Sequence, residues 1–241
     1  MNSPSRLLLV FILVLPACTV MGQGEPENID PWEPLNREVF AFNDWLDKYA
    51  LKPVAQAYRA ITPDPIERGV TNFINNIYEF NNIANALLQG RVDNALHSSG
   101  RFLLNSTVGL AGFLDVASPA GVTPRPADFG QTLATWGVPS GPFIMVPVAG
   151  PRTLRSGTGL LVDSLYSIPA LTGETTWPWV FWGVVAIDTR ANLLQADTLI
   201  TGDRYIFFRN AYLQSRETFL NGGVVIDDFS DFEEGEDYED F

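Results

Sequence analysis

One histidine and one cysteine bound the side-chain chemistry open to this 241-residue chain. A serine hydrolase would need His97 as its base. The segment closest to a nucleophile elbow, Gly137-Val138-Pro139-Ser140-Gly141, places its serine one residue too late for the strand-to-helix turn that exposes such a nucleophile. His97 itself falls in a helical stretch and reads as an ordinary surface or core histidine. A zinc site needs a Cys/His cluster that is missing here, so no metal is expected. No phosphate-cradling or dinucleotide glycine motif occurs, and no cofactor is expected. Outside the C-terminal tail the carboxylates are scattered singly, so no pair is placed for acid–base work. Asp115, embedded in apolar sequence, reads as a turn or helix-terminus residue. The expectation is a protein that is not an enzyme.

The remaining chemistry is at Cys18. Residues 1–17 read as a secretory signal: Arg6 supplies the charged start, and Leu7–Leu15 is an apolar run too short to span a bilayer, which takes about 20 residues. The run closes at Leu15-Pro16-Ala17-Cys18, which resembles the bacterial lipoprotein processing site, with Pro16 a departure from its usual residue. An acylated Cys18 would anchor the chain, because each buried methylene contributes about 0.8 kcal/mol and two or more chains hold stably. With a single cysteine no internal disulfide can form. Thr19 stands where an aspartate would resemble an inner-membrane retention signal. The expected location is therefore the outer membrane, lipid-anchored, on its periplasmic side. Residues 18–29 form the lipidated cysteine and tether, 30–223 the folded domain, and 224–241 an acidic, disordered tail.

That tail accounts for most of the net charge of -13, carrying nine acidic and no basic residues from Asp227 to Phe241. The remainder is close to balanced, so no basic patch is available for nucleic acid, and no nucleic-acid partner is expected. Charged residues make up 18%, against about 25% for typical soluble domains. The folded part reads as all-α, with about seven to nine short helices punctuated by Pro and Gly. Asp30 or Asn36 is placed to cap the first helix, and Lys52-Pro53 to start a second. Pro65 opens a third, and Gly90 follows a helical stretch as a stop. Val92–Leu104 is helical with Val92, Leu96, Phe102 and Leu103 expected inward. Trp177, Trp179 and Trp182 cluster in a run that is either core or membrane-interfacial. Asp203–Leu220 sets Tyr205, Phe208, Tyr212 and Phe219 on one helical face.

These elements frame Asp128–Asp163, an apolar stretch broken by Gly137, Pro139, Gly141, Pro142, Pro147, Gly150 and Pro151. No long helix survives that many breakers. The expectation is a bent, oily hairpin loop resting on the protein's own core, on a partner or on lipid.

The chain resembles the MlaA (also called VacJ) family of outer-membrane lipoproteins. The resemblance rests on Asp30-Pro31-Trp32-Glu33-Pro34-Leu35-Asn36-Arg37 with Phe42-Asn43, Arg101-Phe102 with Asn105-Ser106-Thr107, and Gly112-Phe113-Leu114-Asp115. It continues through Asp128-Phe129-Gly130-Gln131, Trp136-Gly137-Val138, Gly141-Pro142-Phe143 and Pro147. The family implies a ring-like helical bundle around an amphipathic pore that passes misplaced phospholipid from the outer leaflet. It also implies a trimeric porin as neighbour and a periplasmic MlaC-type carrier as acceptor. The lipid path is then expected along Trp136, Gly137, Val138, Gly141, Phe143 and Pro147, with Arg155 and Asp163 in its polar wall. Arg155 would meet a phosphate through charge-assisted hydrogen bonds; the competing reading is a surface or salt-bridged arginine. Two other functions stand beside this one: a structural adaptor for a porin or envelope complex with no lipid path, and a lipid-directed hydrolase using His97.

Overall fold

The structure is a computed structural model that describes residues 29–173 and 176–222. The expected signal segment, Cys18, its tether up to residue 28 and the acidic tail lie outside the described residues.

Helix α1 (Glu33–Leu46) runs into a π-helical turn, Asp47–Leu51, and on into α2 (Lys52–Ile61). Lys52-Pro53 opens a helix as expected, though the chain's helical course runs into it without a gap. The widened turn lets the Lys52 N–H donate to Asp47 O, so Pro53, which has no N–H, enters the first turn of α2. Neither Asp30 nor Asn36 caps α1; Trp32 holds the cap position without a side-chain bond. The long α3 (Asp64–Leu88) ends as Gly90 suggests. Gly90 takes φ +72°, Arg91 N–H donates to Ala86 O (2.8 Å) and Gly90 N–H to Leu87 O (3.0 Å). This Schellman closure turns the chain into α4 (Val92–Thr107), which packs back along α3.

After an irregular segment come α5 (Phe129–Thr135), strands β1 (Phe143–Val146) and β2 (Gly150–Thr153), and α6 (Leu154–Leu165). The strands pair antiparallel with Phe143 opposite Thr153, Ile144 opposite Arg152 and Val146 opposite Gly150. The apolar stretch is thus a β-hairpin, one small sheet in an otherwise helical chain. Asp128 caps α5 by accepting from Gln131 N, and a Thr153/Ser156 capping box opens α6. Helices α5 and α6 meet at glycines: a Cβ on Gly159 would lie 2.8 Å from Gly130 Cα. A single-turn α7 (Ile168–Leu171), α8 (Trp177–Asn192), a 3-10 turn at Leu194–Leu199 and α9 (Arg204–Leu220) complete the described chain. Asp203 caps α9 through Tyr205 N and Ile206 N. Helix α8 ends at Asn192, just before the 3-10 turn.

The interior is small and polar. Among the described residues, fifteen polar side chains are buried against twelve apolar ones, while thirty large apolar side chains are exposed. One apolar cluster joins Ile74 and Ile77 of α3 to Phe181 of α8; the other joins Phe143 and Met145 to Tyr205. Helix α4 reverses the sequence expectation. Leu96 (68% exposed), Leu103 (60%) and Val92 face outward, and Phe102 is only half-buried, while Ala95, Ser98, Arg101 and Asn105 face α3. The reason is an ion pair. Arg101 Nε donates to Glu79 (2.7 Å), and Arg101 Nη1 to Ser118 Oγ (3.0 Å) and the Val122 carbonyl. Burying that network forces the leucines to the other side. Among the described residues no helix is long and apolar enough to cross a membrane.

Candidate functional site

The hairpin is held from both sides. On its α1 side, two asparagines seven residues apart bond to its backbone. Asn36 Nδ2 donates to Phe143 O (3.2 Å) while its Oδ1 accepts from Met145 N (2.8 Å). One helical turn pair further, Asn43 Nδ2 donates to Val146 O (3.0 Å) and its Oδ1 accepts from Val148 N (2.8 Å). Each amide thus acts on the hairpin as a short length of strand. Asn36 also donates to Asp30 (2.8 Å), which accepts from the Tyr205 hydroxyl and from Arg209 (3.2 Å). Asp30 is therefore the buried link between the chain's entry and α9. Arg37 pairs with Glu33 (2.7 Å) and Asp203 (2.9 Å), its guanidinium 4.5 Å from the centre of the Tyr205 ring.

The burial of the ribbon divides along its length. Phe143 is fully buried and Met145 nearly so, against Phe40, Tyr205 and Tyr212. Pro147 and Val148 at the tip are exposed, and Val148 takes φ +65°, with Ala149 N donating to Pro147 O (2.7 Å). This is a tight γ-turn that a β-branched residue occupies only under strain. Gly137 (φ +84°) and Gly141 (φ +67°) supply the left-handed turns leading into the ribbon. Trp136 donates to Leu88 O (3.1 Å) and meets Phe129 edge-on, so it ties α5 to the end of α3. The Val138 carbonyl accepts from Arg155 Nη1 (2.7 Å).

Behind the ribbon, Asp163 is a hub. Its Oδ2 accepts from Phe129 N (2.9 Å), and its Oδ1 from Asn85 (2.8 Å) and the Tyr166 hydroxyl. Asn81, Asn85 and Gln89, four residues apart on α3, stitch that helix to α6 and α5 through Asp163, Thr132 and Gln131. Burial raises the Asp163 pKa, against the pull of these hydrogen bonds. Between the ordinary carboxylate range and that raised value, the folded protein keeps a proton that the unfolded chain has released, so this group's contribution to stability falls as pH rises. Asp163→Asn is expected to remove that slope. Unfolding free energies measured against pH from about 4 to about 7 should show the wild type losing ground to the variant on the alkaline side.

Beside this hub, Asp128 holds Arg216 of α9 through two bonds (2.5 and 2.9 Å). Burial and the neighbouring Arg216 charge lower the Arg155 pKa. Arg155 has no carboxylate partner among the described residues. Asn105, Asp115 and Arg101 assemble elsewhere: Asn105 Oδ1 accepts from Val116 N and Ala117 N, and Asp115 accepts from Asn105, Ser118 and Arg101. This second cluster organises the turn after α4. Asp115 is thus a turn residue, its pKa lowered overall because hydrogen bonds from Ser118 and Asn105 outweigh its burial. Phe42 stacks on Trp45 at the exposed surface, and Pro31 is exposed. Sequence reasoning missed Arg216, Glu79 and Arg101 as partners, because nothing local marks a pair 88 or 22 residues apart. Cys18 lies outside the described residues.

The ribbon's Met145, Val148 and Pro151 form one wall of a cavity of about 670 Å³. The other walls are Phe40 and Leu46 of α1, Ile187 of α8 and Phe207 of α9. Its charged rim is internally neutralised, with Arg190 held by Asp47 (2.7 Å) and Asp197 (2.9 Å), and Arg204 by Asp44 (2.8 Å). A cavity of that size, apolar within and polar at its edge, suits an amphipathic molecule. Among the described residues no cluster of His, Cys, Asp and Glu could hold a metal ion.

Comparison with known proteins agrees with this arrangement. The MlaA lipoprotein family model matches residues 28–218. The intermembrane phospholipid transport system lipoprotein MlaA of Shigella flexneri is 38% identical over 220 residues, covering 88% of this chain and 86% of that protein. Its counterpart in Escherichia coli K12 is 37% identical with the same coverage. A solved structure described as the structural basis for maintenance of bacterial outer membrane lipid asymmetry matches with a TM-score of 0.70 at 39% identity, covering 80% of this chain and 99% of that one. The chain belongs to the MlaA lipoprotein family.

Proposed function

We propose that this protein is a non-enzymatic, lipid-anchored component of the outer membrane, on its periplasmic side, which gives mislocalised phospholipid a path out of the bilayer. In this reading Cys18 carries the acyl anchor and the helical domain sits in the inner leaflet. The cavity behind the hairpin takes the acyl chains, and the hairpin, from Gly137 to Pro151, shapes the path. A soluble periplasmic carrier of the MlaC type receives the lipid, and a trimeric porin is the neighbour in the membrane. The names of the family's curated members support the transport role.

One observation carries the reading. The protein exposes its large apolar side chains and buries its polar ones, yet has no spanning helix among the described residues. In water, thirty exposed large apolar side chains would be costly at roughly 25 cal/mol per Å². In an acyl-chain layer they are solvated, and the polar interior is where its hydrogen bonds are worth most. The exposed Trp45, Trp136 and Trp179 suit the layer's polar boundary.

A membrane seat of this kind is testable residue by residue. A polarity-sensitive probe on Leu103→Cys or Leu96→Cys is expected to shift to the blue and be quenched by acyl-chain nitroxides when the lipidated protein enters vesicles. The same probe on Asp93→Cys, on the charged first turn of α4, is expected to respond far less. Equal, water-like spectra at all three positions would refute the seat.

A further inference from the structure

The two faces of the hairpin differ in kind. Alternation along the strands puts Met145 and Pro151 on the cavity side, and Ile144 and Arg152 on the other. Ile144 and Arg152 there lie over Gly157 of α6, where a Cβ would come 3.1 Å from the Ile144 side chain and 3.8 Å from Arg152 Cβ. The Arg152 charge is also felt at Tyr78 of α3, whose phenol is pushed up to about 12 by burial and drawn down by that guanidinium. Tyr78 in turn packs on Phe181 and Trp182. Arg152 thus shares its face of the hairpin with Ile144, over the glycine of α6.

Its side chain stands without an acceptor. The other described arginines, the exposed Arg91 apart, each donate to a protein oxygen. The Arg152 side chain has no hydrogen bond or salt bridge among the described residues, and its Nε is shut off from solvent. A guanidinium carries five donors in a rigid fork shaped for a carboxylate or phosphate. Arg152 is only half-buried, and of its donors Nε alone is shut off, so the rest of the fork is open to an incoming anion.

We propose that Arg152 seats a phosphate-bearing anion on the face of the hairpin away from the cavity, and that the phosphate is that of a phospholipid headgroup. Guanidinium and phosphate pair through two parallel N–H···O bonds. This rests on the lipid-path reading above, to which it adds the headgroup position and its sign of charge. It also assigns the hairpin's two faces to the two ends of one amphipathic molecule.

The test uses the full, lipidated protein in detergent. Native mass spectrometry follows binding of short-chain phosphatidylglycerol, the matching diacylglycerol without phosphate, and inorganic phosphate. Arg152→Gln is expected to weaken phosphatidylglycerol about tenfold and to leave diacylglycerol binding and the melting temperature unchanged. Arg152→Lys should keep part of the affinity, as a cation lacking the fork. Unchanged phosphatidylglycerol binding in Arg152→Gln would overturn the seat while leaving the lipid path standing. No phosphatidylglycerol binding by the wild type would overturn both. Inorganic phosphate binding as tightly as the lipid and competing with it would overturn the headgroup assignment and make Arg152 a site for free phosphate. A fall in melting temperature with equal loss of both lipids would make Arg152 structural and refute the proposal.

Discussion

Asn36→Ala is expected to destabilise the protein by about 3–5 kcal/mol, because it strands two backbone groups of the hairpin at once. Asn36 is 3% exposed, and its amide serves Phe143 O, Met145 N and Asp30 together. Each buried group left without a partner costs about 1–3 kcal/mol, and alanine offers no substitute. In a domain of this size that shift is about 10 °C of melting temperature. Asn43→Ala makes the internal comparison. It removes the same pair of bonds at the hairpin's exposed end, where water or headgroups replace them, and is expected to cost about 1 kcal/mol. Denaturant unfolding of both variants in one detergent decides the matter. Equal costs would mean that the hairpin is held by apolar packing of Phe143 and Met145 rather than by the asparagine ladder.

Arg101→Met is the second large effect. It leaves Glu79, 3% exposed, as a buried carboxylate whose remaining side-chain donor is Asn82 (3.0 Å), and frees Asp115 and the Val122 carbonyl. Breaking one side of a buried ion pair costs about 3–5 kcal/mol, mostly as the stranded charge. Replacing both partners, Glu79→Leu with Arg101→Met, is expected to recover most of that loss, since a methionine and a leucine fill the α3–α4 seam without charge. The double-mutant cycle reads the coupling directly. Additive losses would contradict the view that this pair, rather than apolar packing, orients α4.

That pair also explains what the sequence could and could not reveal. Helical periodicity and the Pro and Gly breakers located most helices, and the stop at Gly90 follows local chemistry alone; the caps Asp128 and Asp203 went unread, and the cap expected at Asp30 or Asn36 is not made. Periodicity does not say which face meets water. Helix α4 has a polar stripe at Ala95, Ser98, Arg101 and Asn105 and an apolar one at Val92, Leu96 and Leu103, and the pattern reads the same whichever stripe is inside. A soluble fold puts the leucines in; here the Glu79 carboxylate reverses them. The low charge content and the tryptophan cluster carried the warning. The β-hairpin was legible only as a breaker-rich apolar run, because four-residue strands are too short for alternation to show. Its partners Asn36 and Asn43 lie over 100 residues away, and their seven-residue spacing gains meaning only once the ribbon is seen against α1. The asparagines of α3, polar and uncharged, serve as a seam to α5 and α6.

The central claim, that this protein leads phospholipid out of a bilayer, is tested most directly by transfer. Vesicles carrying the lipidated protein and a labelled phospholipid are mixed with a soluble MlaC-type carrier, and the label bound to the re-isolated carrier is measured. The account predicts labelled phospholipid on the carrier well above protein-free vesicles, and a marked fall for Asn36→Ala assayed below its melting temperature, where the hairpin wall is loosened. Carrier that gains no more lipid from protein-bearing vesicles than from bare ones, with the protein shown to be folded and inserted, would contradict it.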